Sequence, residues 1–141
     1  MSTVLFVCRQ NAGRSQMSQA LFQRVSGGRH QALSAGTTPA DRVHPEVIVV
    51  MRELGVQLAH RAPQQLTPEL AAQADVVVTM GCGDECPFIP GKPYIDWDLT
   101  DPAGRSRDQV RAIRDDIDER VRALVNELDT PAEPEPSRDA G

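Results

Sequence analysis

Cys8-Arg9-Gln10-Asn11-Ala12-Gly13-Arg14-Ser15 sets the Cys8 thiol and the Arg14 guanidinium with five residues between them. A cysteine thiolate is a nucleophile, and a guanidinium can hold two oxygens of a tetrahedral anion in a bidentate fork. The preceding residues, Thr3 to Val7, are largely apolar, and a helical pattern follows. The segment therefore reads as the loop of a strand–loop–helix unit. Backbone N–H groups at a helix N-terminus, together with the helix dipole, favour a bound anion. The expected site is an oxyanion cradle of Cys8, Arg9, Gln10, Asn11, Ala12, Gly13, Arg14 and Ser15, with Cys8 on its floor. The same positive field stabilises negative charge on the Cys8 sulfur. Asn11 tolerates left-handed backbone and Gly13 allows an anion to approach the chain closely. Ser15 can either cap the helix or donate a hydrogen bond to the thiolate.

A second group is Gly81-Cys82-Gly83-Asp84-Glu85-Cys86-Pro87. Two unrelated loop cysteines, half of a zinc site and a redox pair are all open readings. No second Cys/His pair follows at zinc-site spacing, so no metal site is expected. Cysteines four positions apart can bridge if the backbone adjusts, and glycines on both sides of Cys82 would let the segment move. The chain has three cysteines, an odd count that does not suit a disulfide scaffold. In a reducing compartment, cysteines in such settings are more often catalytic, redox-active or metal-binding than structural. His30, His44 and His60 form no cluster and read as structural or exposed residues. No flavin or nicotinamide fingerprint is present, so no cofactor is expected.

The elements that must hold these groups follow from periodicity. Val4-Leu5-Phe6-Val7 lacks alternation, as in a strand buried on both faces of a parallel sheet. Met17, Ala20, Leu21 and Val25 share one helical stripe, ended by Gly27-Gly28. Gln31 to Ala35 predicts a second strand. Pro45 opens a helix with Val47, Val50, Met51 and Leu54 on its apolar face and Gly55 as its cap. Thr67-Pro68-Glu69 starts another short helix, running to about Gln73. Val76-Val77-Val78 is a third strand, and Tyr94-Ile95-Asp96-Trp97 a fourth, with Tyr94 and Trp97 in the core or at its rim. Ser106 to Gln109 fits a capping box before a long amphipathic helix through Leu128. Asp101-Pro102 sits in the turn between that strand and that helix. Alternating strands and helices predict an α/β domain with a four-stranded parallel sheet between helical layers, a three-layer α/β/α sandwich.

The length of 141 residues suits one domain, expected over 1–129. Residues 130–141 hold three prolines and no large apolar side chain, and read as a disordered tail. A net charge of −5 argues against broad nucleic-acid or anionic-membrane binding. No apolar run approaches a membrane span, and the first residues lack a basic n-region. A cytoplasmic monomer or weak homodimer is the expectation.

Cys-x5-Arg-Ser with an internal Asn resembles the phosphate-binding loop of low-molecular-weight protein tyrosine phosphatases. The stretch Asn11-Ala12-Gly13-Arg14-Ser15-Gln16-Met17 is more similar to that of their relatives, the thioredoxin-coupled arsenate reductases. The likeness runs from about residue 3 to 128. It implies that Asp101, in the Asp-Pro pair, is the general acid that protonates the oxygen leaving when Cys8 attacks. In the phosphatases an aromatic residue often follows the pair; Ala103 and Gly104 stand there in this chain, which weakens a phosphotyrosine reading. In the reductases two further cysteines relay oxidising equivalents outward, which implies that role for Cys82 and Cys86, although only three residues separate them. Some of these reductases bind potassium through carboxylates; Gln19 stands at the corresponding place, and the ion is not expected. The resemblance thus implies reduction of arsenate, with phosphate or sulfate as analogues, through a Cys8–Cys82–Cys86 relay regenerated by thioredoxin. A phosphatase using Cys8, Arg14 and Asp101, a reductase resolved by mycothiol or glutathione, and a non-catalytic oxyanion sensor are the rival readings.

Overall fold

The computed structural model describes residues 1–81 and 91–130. In chain order the elements are β1 (Thr3–Cys8), α1 (Arg14–Ser26), β2 (Gln31–Gly36), α2 (Pro45–Arg52), α3 (Pro68–Gln73), β3 (Val76–Thr79), β4 (Tyr94–Asp96) and α4 (Arg107–Asp129). The four strands pair in the order β2-β1-β3-β4, all parallel, as the strand–helix alternation predicts. Val4, Phe6 and Cys8 face a core shared with α1, α2 and α4, whereas Leu5 and Val7 face one shared with α3. Coverage on both faces is why this strand reads as a continuous apolar run rather than an alternating one.

Phe6 anchors the larger core, with its ring 5.7 Å from Phe22 and 5.9 Å from Trp97. Arg114 ties α4 to α2, its Nη1 donating to Val50 O at 2.8 Å and to Glu53 Oε1 at 2.9 Å. Helix ends largely follow the signals in the chain. Gly27 closes α1 in the left-handed conformation (φ 60). Thr67 accepts the Leu70 N–H at the start of α3, and both halves of the Ser106–Gln109 capping box are made. Several boundaries differ: β2 takes in Gly36 and β3 takes in Thr79. The second helix stops at Arg52, and Gly55 (φ 81) instead forms the turn beyond it, its N–H on Arg52 O. The fourth strand stops at Asp96; the Trp97 N–H still reaches Thr79 O at 2.8 Å, but β3 ends there and offers no further partner. The expected tail beyond Thr130 lies outside the described residues. Among the described residues no helix is long and apolar enough to cross a membrane.

In a parallel sheet every strand ends on the same side, and the crevice beyond those ends is where such folds bind ligands. The segments that follow β1, β3 and β4 all leave from that side. Thus the topology brings Cys8, Gly81 and Asp101 toward one place from distant parts of the chain.

Candidate active site

Cys8 is the last residue of β1 and is buried. The loop turns there because Asn11 takes the left-handed conformation (φ 52), the only non-glycine with positive φ among the described residues. The carbonyls of the loop all point outward to neighbours. Cys8 O accepts from Thr37 N, Arg9 O from Thr38 N, Gln10 O from Ala40 N and Ala12 O from His44 N, at 2.8–3.3 Å. Asn11 O takes the Gln16 amide at 3.1 Å. With the carbonyls held outward, the loop N–H groups are left for its concave side. Those of Gln10, Asn11, Ala12 and Gly13 have no acceptor among the described residues. A buried N–H demands a partner, and a tetrahedral anion supplies several acceptors at once.

The Asn11 side chain sets the polarity of the floor. Its Oδ1 accepts from Gln64 N at 2.9 Å and from Gln16 Nε2 at 3.2 Å, which commits its Nδ2 to donate to Ser15 Oγ at 2.7 Å. Ser15 Oγ lies 2.9 Å from Cys8 Sγ. Having accepted from Asn11, the hydroxyl is free to donate its own proton to the sulfur, the arrangement that stabilises a thiolate. Of the two roles open to Ser15, the structure shows the sulfur contact. The N-cap of α1 is Gly13, and no side chain caps it.

Arg14 opens α1 and is buried, with its side chain only 7% exposed. Its Nη1 donates to Leu99 O at 3.3 Å, and its Nη2 lies 3.5 Å from Asp101 Oδ2. A guanidinium has five N–H donors, so donors remain for a bound anion. Asp101 serves its turn as well: Oδ1 accepts the Ala103 N–H at 3.0 Å, while the carboxyl stays about half exposed. Pro102 packs on the loop so closely that a Cβ on Gly13 would lie 2.7 Å from Pro102 Cγ. Gly36 is needed in the same way, since a Cβ there would lie 2.7 Å from Arg9 O.

The structure therefore brings Cys8, Asn11 to Ser15 and Asp101 together, with Arg9 and Gln10 on the exposed rim. Cys82 and Cys86 lie outside the described residues. Gln19 is engaged by Ser34 Oγ and Arg61 Nη1 through its Oε1 and donates to Ala32 O. His30 bridges Ser2 N and Asp129, His60 is exposed, and His44 lends its backbone N–H to the loop. Among the described residues no three His, Cys, Asp or Glu side chains gather as a metal site. Sequence reasoning missed Gln16 and Gln64, which orient Asn11, and the contact of Gly81 with Arg14. Gln16 belongs to the stretch that resembles the reductases; nothing in the sequence marks Gln64.

Comparison with known proteins finds relatives along most of the chain. The family described as low molecular weight phosphotyrosine protein phosphatase matches residues 3–133. A Halobacterium salinarum protein named "putative arsenate reductase" is 44% identical over 87% of this chain and 90% of its own. A Synechocystis protein named glutaredoxin arsenate reductase is 32% identical over 91% of this chain and 99% of its own. Among solved structures, a thioredoxin-dependent arsenate reductase of Corynebacterium glutamicum superposes with a TM-score of 0.76 at 39% identity. That match covers 91% of this chain and 61% of the Corynebacterium chain.

Proposed function

This chain belongs to the low molecular weight phosphotyrosine protein phosphatase family, and we propose that within it the chain reduces arsenate to arsenite. The observation that carries the reading is a buried thiol, hydrogen-bonded by Ser15, beneath uncommitted loop N–H groups and beside Arg14 and Asp101. Relatives named arsenate reductases support the choice of substrate, as does Ala103, which offers no aromatic wall for an aryl ester.

In the proposed reaction, Cys8 thiolate attacks arsenic. Asp101 protonates the departing oxygen, and water leaves as an S–As bond forms. Arg14 and the loop N–H groups stabilise the charge that develops. Cys82 thiolate then attacks Cys8 Sγ. The S–As pair of electrons passes to arsenic, which leaves as arsenite, and a Cys8–Cys82 disulfide remains. Cys86 attacks Cys82, forming Cys82–Cys86 and freeing Cys8. A thioredoxin-type dithiol reduces that bond by thiol–disulfide exchange. In sum, two thiols are oxidised to one disulfide while arsenate loses one oxygen as water. Gly81, bonded to Cys82 in the chain, already touches Arg14, which supports a Cys82 that can reach the site. A cytoplasmic setting would keep these thiols reduced.

A second reading draws on the glutaredoxin-named relative: a small thiol such as glutathione or mycothiol resolves the adduct and a glutaredoxin-type protein completes the cycle. Arsenite formation, measured with thioredoxin, its reductase and NADPH, separates the two. The relay requires multiple turnovers with thioredoxin and their loss in Cys8→Ser, Cys82→Ser and Cys86→Ser. Turnover only with a small thiol and glutaredoxin, unaffected by the Cys82 and Cys86 changes, would establish the second reading instead.

A further inference from the structure

We infer that Gly81 is a positioning residue for Arg14, and that its missing side chain sets how tightly the loop holds an oxyanion. β3 ends at Thr79, and Met80 is buried with its N–H on Val7 O at 2.9 Å. The chain then turns through Gly81 at φ +79. A Cβ on Gly81 would overlap Arg14 Nη1 and lie 3.0 Å from Cζ and 3.5 Å from Nη2. Arg14 thus rests in a niche bounded by the Gly81 α-carbon, the Leu99 carbonyl and the Asp101 carboxylate.

The other glycines of positive φ show that this is more than turn chemistry. At Gly28, Gly55, Gly91 and Gly104 a Cβ would meet nothing within 4 Å, and at Gly27 it would meet only Arg29 Nη1 at 3.8 Å. Gly81 alone among these combines the left-handed backbone with a space already filled by a functional group. The group that would give way is the tip of a long flexible side chain, not backbone. A side chain at 81 therefore strains the turn locally and, in space, displaces Arg14 from its niche rather than any backbone.

The inference rests on reading the loop as the oxyanion site, and its readout is phosphate affinity rather than turnover, so the two fail separately. Inorganic phosphate is titrated against alkylation of Cys8 in a Cys82→Ser/Cys86→Ser background, where Cys8 is the remaining thiol. Gly81→Ala and Gly81→Asn are compared, with circular dichroism certifying the fold. Asparagine tolerates positive φ better than alanine but carries the same Cβ. Displacing one charge-assisted hydrogen bond predicts that both variants need roughly tenfold or more phosphate for half-protection. In an Arg14→Lys background, where the guanidinium is gone, the same changes should alter protection less than about twofold, as expected when one residue acts through the other. Wild-type affinity in either folded variant would overturn the inference. So would rescue by asparagine, an undiminished effect in the Arg14→Lys background, or failure of both variants to fold.

Discussion

Ser15→Ala tests the polarity assigned to the floor of the site. Ser15 Oγ accepts from Asn11 Nδ2 at 2.7 Å and contacts Cys8 Sγ at 2.9 Å, and all three residues are buried. Removing the oxygen orphans the Asn11 N–H, which costs about 1–3 kcal/mol. For a chain of this size that is a loss of roughly 3–12 °C in Tm. It also removes a hydrogen bond to a charged sulfur, about 1.5–3 kcal/mol, or roughly ten- to 150-fold in the thiolate fraction. A more basic thiolate is more nucleophilic, which returns about half of that on a logarithmic scale. Alkylation of Cys8 by iodoacetamide should then slow by about three- to twelvefold, measured where the rate still rises with pH. The assay is mass spectrometry on the Cys82→Ser/Cys86→Ser background, with and without Ser15→Ala. An unchanged or faster rate in a folded variant would refute the assignment, because it would mean that the thiol donates to Ser15 rather than Ser15 to a thiolate.

Asp101→Asn should slow single-turnover arsenate consumption by about 10²–10⁴, the usual worth of a general acid, while phosphate still protects Cys8. Equal loss of protection would instead make Asp101 a support for Arg14. Away from the site, the Glu53 carboxyl is held down at about 2 from 4.5 by hydrogen bonds from Arg111, and then Arg114, that outweigh its partial burial. A lowered folded-state value gives stability that is present above about pH 4.5 and lost as pH falls toward 2. Glu53→Gln should therefore lower Tm near pH 6 and converge with wild type by pH 2; parallel curves through that window would count against the pairing.

The loop was legible because its signals are local. A buried strand, a Cys-x5-Arg spacing, Asn11 for left-handed backbone and a helix behind them occupy consecutive residues, and each appears where the pattern puts it. The caps at Thr67 and Ser106 were legible for the same reason. Contacts across the sheet were not. Spacing alone cannot say that Asp101 lies against Arg14, that Gln64 fixes the Asn11 amide, or that Gly81 is empty because a guanidinium fills the space. Those pairings arise from parallel strands delivering distant segments to one edge. The role of Ser15 stayed double in the sequence because capping and sulfur contact ask for the same hydroxyl; the folded site separates them, with Gly13 at the cap position and Ser15 against the sulfur.

The relay itself is tested most directly by trapping its first disulfide. Cys86→Ser protein, fully reduced and free of thioredoxin, is mixed with one equivalent of arsenate, then quenched by alkylation and peptide-mapped. The proposed sequence of attacks predicts one arsenite released per protein together with a Cys8–Cys82 disulfide, and neither in the Cys82→Ser counterpart. Arsenite released with Cys82 still alkylatable, or at the same yield in Cys82→Ser, would contradict it.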